Sequence, residues 1–282
     1  MGKATKLRLW IAAFLVILGA ILFAGTMAKL GWDFSKLSTV TYETHTYQIQ
    51  EDFDSLSIRS DWVDISLLPS QDGSCKVVCY EEANANHSVS VEDGTLTIRL
   101  EDKRSWQQRM AINFTAPKVT VYLPQEEYAD LSVKVSTGDI HVEDLSAHAV
   151  TLKASTGQIT ATAISCRGAF SVGVSTGAVK LTDITCRDLT STGDTGSISL
   201  KNVIATESLS ITRSTGNVSF DGCDAARITV KTDTGNVTGS LLTDKTFLAE
   251  SDTGRVNVPR GSTGGKCEIT TDTGNIKITV EK

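Results

Sequence analysis

Positive charge is in short supply in this chain. Its 27 Lys and Arg stand against 33 Asp and Glu, a formal net charge of −6 over 282 residues, and no Lys/Arg run with interleaved aromatics occurs. Such a surface does not neutralise a phosphate backbone, which excludes nucleic-acid binding. Catalytic signatures are missing as well: there is no G-x-S-x-G, no phosphate-binding glycine loop and no Cys/His nucleophile arrangement. The four histidines, His45, His87, His141 and His148, show no metal-ligand spacing and stand mostly among polar neighbours, which predicts solvated side chains. Aromatics are scarce too. After residue 130 no Trp or Tyr remains, and Phe170, Phe220 and Phe247 are the only aromatic residues.

Only one long apolar run is present. Leu9 to Ala28 is 20 residues without a charge, preceded by Lys3, Lys6 and Arg8, and that length spans a hydrocarbon core as a helix. The positive charge in front predicts a cytoplasmic tail over residues 1–8, a transmembrane signal anchor over 9–28 and an extracytoplasmic remainder, with Trp10 and Trp32 near the two interfaces. A cleaved signal peptide is the alternative, although Thr26-Met27-Ala28 is a poor small-x-small cleavage site. Residues 29–41 read as a linker or stalk.

The aromatic-poor part is rich in Gly, Ser and Thr and is periodic. STGDI, STGQI, STGAV, DTGSI, STGNV, DTGNV, DTGRV and DTGNI follow one another with glycines at 138, 157, 177, 196, 216, 235, 254 and 274, spaced by 19 or 20 residues. Seven residues before each glycine stands an apolar residue: Leu131, Val150, Phe170, Leu189, Leu209, Ile228, Phe247 and Cys267. Two residues after it stands a β-branched one: Ile140, Ile159, Val179, Ile198, Val218, Val237, Val256 and Ile276. Within a repeat such as LSVKVSTGDIHV, apolar and polar residues alternate on both sides of the turn, the period of a half-buried strand. A unit this small buries its apolar face only against copies of itself. The expected fold is therefore all-β: a stacked β-solenoid, a β-helix or β-roll, of about eight coils over residues 131–282. At about 4.8 Å per coil it is a rod on the order of 40 Å long.

Residues 42–130 read as a β-rich region that covers the open end of this stack. LSIRSDWVDISL, Leu56 to Leu67, overlays the repeat with Val63 in the glycine position and reads as a degenerate first coil. Asp93-Gly94, between Val89, Val91, Leu96 and Ile98, marks a hairpin.

The tripeptide Asp-Thr-Gly, at Asp194, Asp233, Asp252 and Asp272, also supplies the catalytic carboxylate of aspartic proteases. Here Ser136, Ser155, Ser175 and Ser214 hold the same position in the other repeats, and a catalytic aspartate does not tolerate serine. Ser and Asp both accept a hydrogen bond from a turn's own backbone N–H, and glycine supplies positive φ, so the motif reads as turn architecture. The column of Asp233, Asp252 and Asp272 raises Ca²⁺ as a candidate. These turns lack the Gly-Gly-x-Gly-x-Asp pattern of calcium-binding β-rolls, so no metal, cofactor or catalytic residue is assigned. Six cysteines are present. Cys75 and Cys79 are too far apart along one strand to bridge, and Cys223 and Cys267 read as buried thiols in apolar columns; Cys166 and Cys186 share an offset in consecutive coils, close enough for a disulfide, although in-register parallel Cβ vectors suit one poorly.

The N-terminal membrane helix, EDFDSLSIRSDWVDISLLPS, the strand KVTVYLP and the serial STGDI-type turns together resemble the bacterial putative adhesin family of LiaG-like type, a domain of unknown function. The resemblance spans nearly everything after residue 45. It implies a β-helical envelope protein without family catalytic residues, in the context of envelope-stress systems. The expected function is a non-catalytic, membrane-anchored adhesin-like or structural module of the cell envelope, partnered by an envelope protein or cell-wall polymer and taking no small-molecule substrate. Two alternatives stand beside it. One is an accessory protein of envelope-stress signalling. The other is a β-helical polysaccharide-degrading enzyme, to which the departures at Ser191-Thr192-Gly193, Arg213, Asp244, Lys245 and Arg260 point.

Overall fold

A computed structural model describes residues 3–33, 41–106, 115–260 and 263–281. The chain divides into two units, residues 1–41 with 104–116, and residues 42–103 with 117–282. The first contains helix α1 (Lys3–Lys29), whose stretch from Thr5 to Lys29 is long and apolar enough to cross a membrane. It ends where Gly31 adopts φ 68° and Trp32 N–H donates to Met27 C=O at 2.8 Å, a glycine-centred cap that closes the last turn. Most of the linker expected over 29–41, residues 34–40, lies outside the described residues.

The second unit is all β. It opens with β1 (Tyr42–Ile49), β2 (Ser55–Trp62), β3 (Asp64–Pro69), β4 (Cys75–Glu82), β5 (Ala85–Glu92), β6 (Thr95–Asp102) and β7 (Lys118–Leu123). The repeats follow as β8 (Glu127–Thr137), β9 (Ile140–Thr156), β10 (Ile159–Cys166), β11 (Ala169–Thr176), β12 (Val179–Thr195), β13 (Ile198–Thr215) and β14 (Val218–Thr234). Last come β15 (Val237–Leu241), β16 (Lys245–Thr253), β17 (Val256–Asn257), β18 (Gly265–Thr273) and β19 (Ile276–Val280).

Each repeat pairs in parallel with the segment one period away. After the glycines, Ile140 pairs with Ile159, Ile159 with Val179, Val179 with Ile198 and Ile198 with Val218. Before them, Leu131 pairs with Val150, Val150 with Phe170 and Phe170 with Leu189. Alternation puts those residues inside, where they form a single apolar core. The coil turns at three places. The first is the Thr-Gly corner. The second is a left-handed residue six positions after the glycine, at Asp144, Ala163, Asp183, Asn202 and Gly222, with φ between 51° and 62°. The third is a slip in register, as between Cys186 and Asp188.

At the N-terminal end the repeat continues through β2 and β3. Leu56 pairs with Leu131 and Ile65 with Ile140, so Val63 occupies the layer before Gly138. The pairing then turns antiparallel: β4 against β7 and β1 against β4 on one side, and β5 against β6 around Asp93-Gly94 on the other.

At the C-terminal end the layers depart from chain order. β18 lies between β14 and β16, and β19 lies between β15 and β17. The layer of Gly274 is thus inserted between those of Gly235 and Gly254, which corrects the expectation that each coil stacks on its predecessor. The last layer is consequently β16–β17. Val256 there is 42% exposed and Phe247 only half-buried, whereas the other members of their two columns are buried, because nothing described packs above them.

Candidate functional site

Two features combine chemistry with position: the row of Thr-Gly corners and a buried polar cluster near the N-terminal end of the stack.

In all eight repeats the Ser or Asp two residues before the glycine and the Thr directly before it are exposed. The threonines pair in register from Thr156 through Thr176, Thr195, Thr215, Thr234 and Thr273 to Thr253. Glycine is required inside this corner. At Gly157 and Gly177 φ is 141° and 146°, and an added Cβ would strike the backbone carbonyl of the preceding layer's glycine. The bonds that tie the corners run between layers from the residue after the glycine. Asp139 Oδ1 accepts Gln158 N–H at 2.7 Å, Asn217 Oδ1 accepts Asn236 N–H at 2.8 Å, Asn236 Oδ1 accepts Asn275 N–H at 2.8 Å and Asn275 Oδ1 accepts Arg255 N–H at 2.9 Å. This ladder takes the role expected of the Ser or Asp two residues before the glycine. Asp194, Asp233, Asp252 and Asp272 point outward on the ridge. Asp194 and Asp233 are separated by the layer of Ser214, and the acidic column runs Asp233, Asp272, Asp252.

The departures from the repeat fall into separate places. Arg213 is 1% exposed and donates from Nη2 to Ser191 Oγ at 2.8 Å. Its guanidinium occupies the space in which Gly193 lacks a side chain. Its Nε and Nη1 have no hydrogen-bond partner among the described residues, and burial pushes its pKa down. Lys245 is buried in an ion pair with Asp224 at 2.5 Å. Asp244 lines a groove together with Glu281, Val258 and Pro259.

The buried cluster draws on four strands. Glu81 on β4 accepts at Oε1 from His45 Nδ1 on β1 at 3.0 Å. At Oε2 it accepts from both Nδ1 and the backbone N–H of His87 on β5, each at 2.7 Å. The other ring nitrogen of His87, Nε2, meets Ser60 Oγ on β2 at 2.9 Å. The side chains of Glu81 and His87 are each 1% exposed and that of His45 is 35% exposed. An ionised carboxylate only accepts, so both facing Nδ1 atoms carry their protons. Burial raises the Glu81 pKa, but the bonds from His87 and His45 outweigh it and hold the group below its ordinary range. Cys79 completes the cluster, its thiol pushed up to about 12 by burial and by the charge on Glu81. The expectation of solvated histidines is corrected for His87 and in part for His45. The reason is that His87 lies on the inward face of β5, where Glu81 pairs with it.

Ser60, His87 and Glu81 have the connectivity of an acyl-transfer triad. Ser60, however, is 7% exposed and lies inside the sheets, where no substrate meets its hydroxyl. All six cysteines are buried and free, Cys166 and Cys186 included.

The molecule is thus an all-β, solenoid-like protein with an N-terminal apolar helix. Residues 53–172 and 167–282 each match the Toastrack family DUF4097, and the chain belongs to that family. No curated protein matches the sequence. Among solved structures, one similar to this chain is described as a putative adhesin from Bacteroides fragilis, at 20% identity and a TM-score of 0.51 over 85% of this chain and 97% of that one. Another is described as a putative lipid binding protein from Parabacteroides distasonis, at 13% identity and a TM-score of 0.57 over 86% and 98%. At these identities the likeness is one of fold.

Proposed function

We propose that the protein is a non-catalytic interaction module of the bacterial cell envelope. In this reading it is a β-solenoid held to the cytoplasmic membrane by α1, with residues 42 onward displayed outside and the antiparallel strands closing one end of the stack. The observation that carries this reading is the row of exposed Ser/Asp-Thr pairs. Repetition presents one hydroxyl and carboxylate chemistry along a ridge on the order of 40 Å long, with a step of about 4.8 Å. A ridge of that form fits an extended polymer or a flat surface and offers a small substrate no enclosure. The Bacteroides fragilis structure of the same fold is described as a putative adhesin, which agrees with the reading.

The test is co-sedimentation of the full-length protein with isolated cell-wall polymer. Wild type is compared with a variant in which Thr195, Thr215 and Thr234 are changed to alanine. Retention by wild type and release of a folded variant support the ridge. Depolymerisation of the glycan, abolished by changing Asp244 or Glu281, would overturn the non-catalytic reading in favour of an enzyme.

A further inference from the structure

We infer that His45, Cys79, Glu81 and His87 form a transition-metal site, with Zn²⁺ the ion that its donors fit. Candidate ligand atoms of Cys79, Glu81 and His87 all lie within 4.8 Å of one another; His45 stands outside that group, its Nδ1 3.0 Å from Glu81 Oε1 while His87 holds Oε2. Zinc bonds of about 2.0–2.3 Å in a tetrahedron separate neighbouring ligand atoms by roughly 3.3–3.8 Å. The hydrogen-bonded pairs therefore open by several tenths of an ångström, Cys79 draws in, and the partly exposed His45 side chain turns inward to supply the fourth ligand. One sulfur, two imidazole nitrogens and one carboxylate oxygen form the set that Zn²⁺ takes. Ca²⁺ and Mg²⁺, which prefer oxygen alone, are disfavoured.

A second observation concerns the far side of each ring. Ligation through Nδ1 requires an outer partner for Nε2, which fixes the tautomer. Ser60 Oγ stands 2.9 Å from His87 Nε2, and Glu43 Oε2 stands 3.5 Å from His45 Nε2. On binding, the Cys79 proton leaves to solvent and each neutral imidazole carries its proton on Nε2, towards Ser60 or Glu43. The ligands come from β1, β4 and β5. Described strands pair with β1 only along β4, and with β5 along β6 and at one residue of β4. An ion here therefore joins two peripheral strands that the sheet itself leaves unconnected to each other.

The experiment loads full-length protein, purified in detergent, with one equivalent of Co²⁺ in place of Zn²⁺. The expected result is a thiolate-to-cobalt charge-transfer band with the visible absorption of a tetrahedral ion. Cys79→Ser should abolish the band, and Cys267→Ser should leave it intact. Zinc X-ray absorption on wild type gives a reading independent of variant folding, with one sulfur in the coordination shell expected. A shell without sulfur, no charge-transfer band in wild type, or a band surviving in folded Cys79→Ser would overturn the site and leave a proton-shared network.

Discussion

Asn275 donates its backbone N–H to Oδ1 of Asn236 at 2.8 Å although the two are 39 residues apart, and Arg255, the nearer repeat in the chain, bonds to Asn275 instead. The final coil is therefore clamped between two earlier ones. Inward hydroxyls repeat this order: Thr232 bonds to the Gly216 carbonyl, Thr271 to that of Gly235 and Ser251 to that of Gly274. The C-terminal strands thus gain two partners each, and the exposed edge is left to β16 and β17.

Removing residues 261–282 should for that reason do more than trim one coil. β16 would lose its only described partner, and β14 and β15 would lose their outer neighbours. Hydrogen exchange should show the amides of β14 and β16 becoming unprotected together. Protection of β16 retained in the truncated chain would mean that the layers had reverted to chain order.

The corner glycines and the corner aspartates should separate cleanly by mutation. Gly177→Ala forces a side chain into the Gly157 carbonyl at φ 146°, and a loss of more than about 3 kcal/mol is expected from strain and overpacking combined. Asp233→Ser, at an exposed position that other repeats fill with serine, should change stability by no more than about 0.5 kcal/mol. Urea unfolding of both variants checks the contrast.

The period, the buried columns and the all-β class are visible in sequence because every repeat buries the same positions against its neighbours. The order of the last layers is not, since Asn236, Asn275 and Arg255 occupy equivalent positions and any order satisfies the pattern. The cross-layer ladder did leave a signal, Asp, Gln, Ser or Asn after most corner glycines, as did the second corner in Asp144, Asp183, Asn202 and Gly222. The Glu81–His87 cluster left none: its members come from strands joined by tertiary pairing, and the sequence neighbours of His45 and His87 are polar.

Ala163 offers a stabilising change. It is exposed, holds φ 56°, and falls between Asp144 and Asp183 in the second-corner row. Alanine is strained there, whereas asparagine tolerates the left-handed region. Asn202 already donates from Nδ2 to Asp183 Oδ1 at 2.8 Å in the next layer. Ala163→Asn should gain about 1 kcal/mol, relieving strain and adding a bond to a neighbouring carboxylate. A lowered thermal midpoint would refute it.

Arg213 is a buried cation with one hydrogen bond and two unpartnered nitrogens, a costly arrangement. Replacing it with methionine, which fills the space above Gly193 without charge, should stabilise by about 1–4 kcal/mol. Thermal unfolding in low salt is the measurement. A destabilised Arg213→Met would show that the guanidinium has compensation beyond Ser191.

Acid should act through Glu81. Its pKa is lower folded than unfolded, so it contributes stability that is fully present above its unfolded value and is lost as pH falls through the folded one. His45, His87, Cys79 and Tyr47 face it from β1, β4 and β5. Glu81→Gln preserves shape but turns an amide N–H towards imidazole donors, and at neutral pH it should cost about 3 kcal/mol. As pH drops below the ordinary carboxylate range the wild-type group protonates and its advantage shrinks, so the two stability curves should converge in acid and part as pH rises. Urea midpoints of both proteins between neutral and acid pH measure this convergence. A gap that stayed constant with pH would show that the ionised carboxylate does not hold the cluster together.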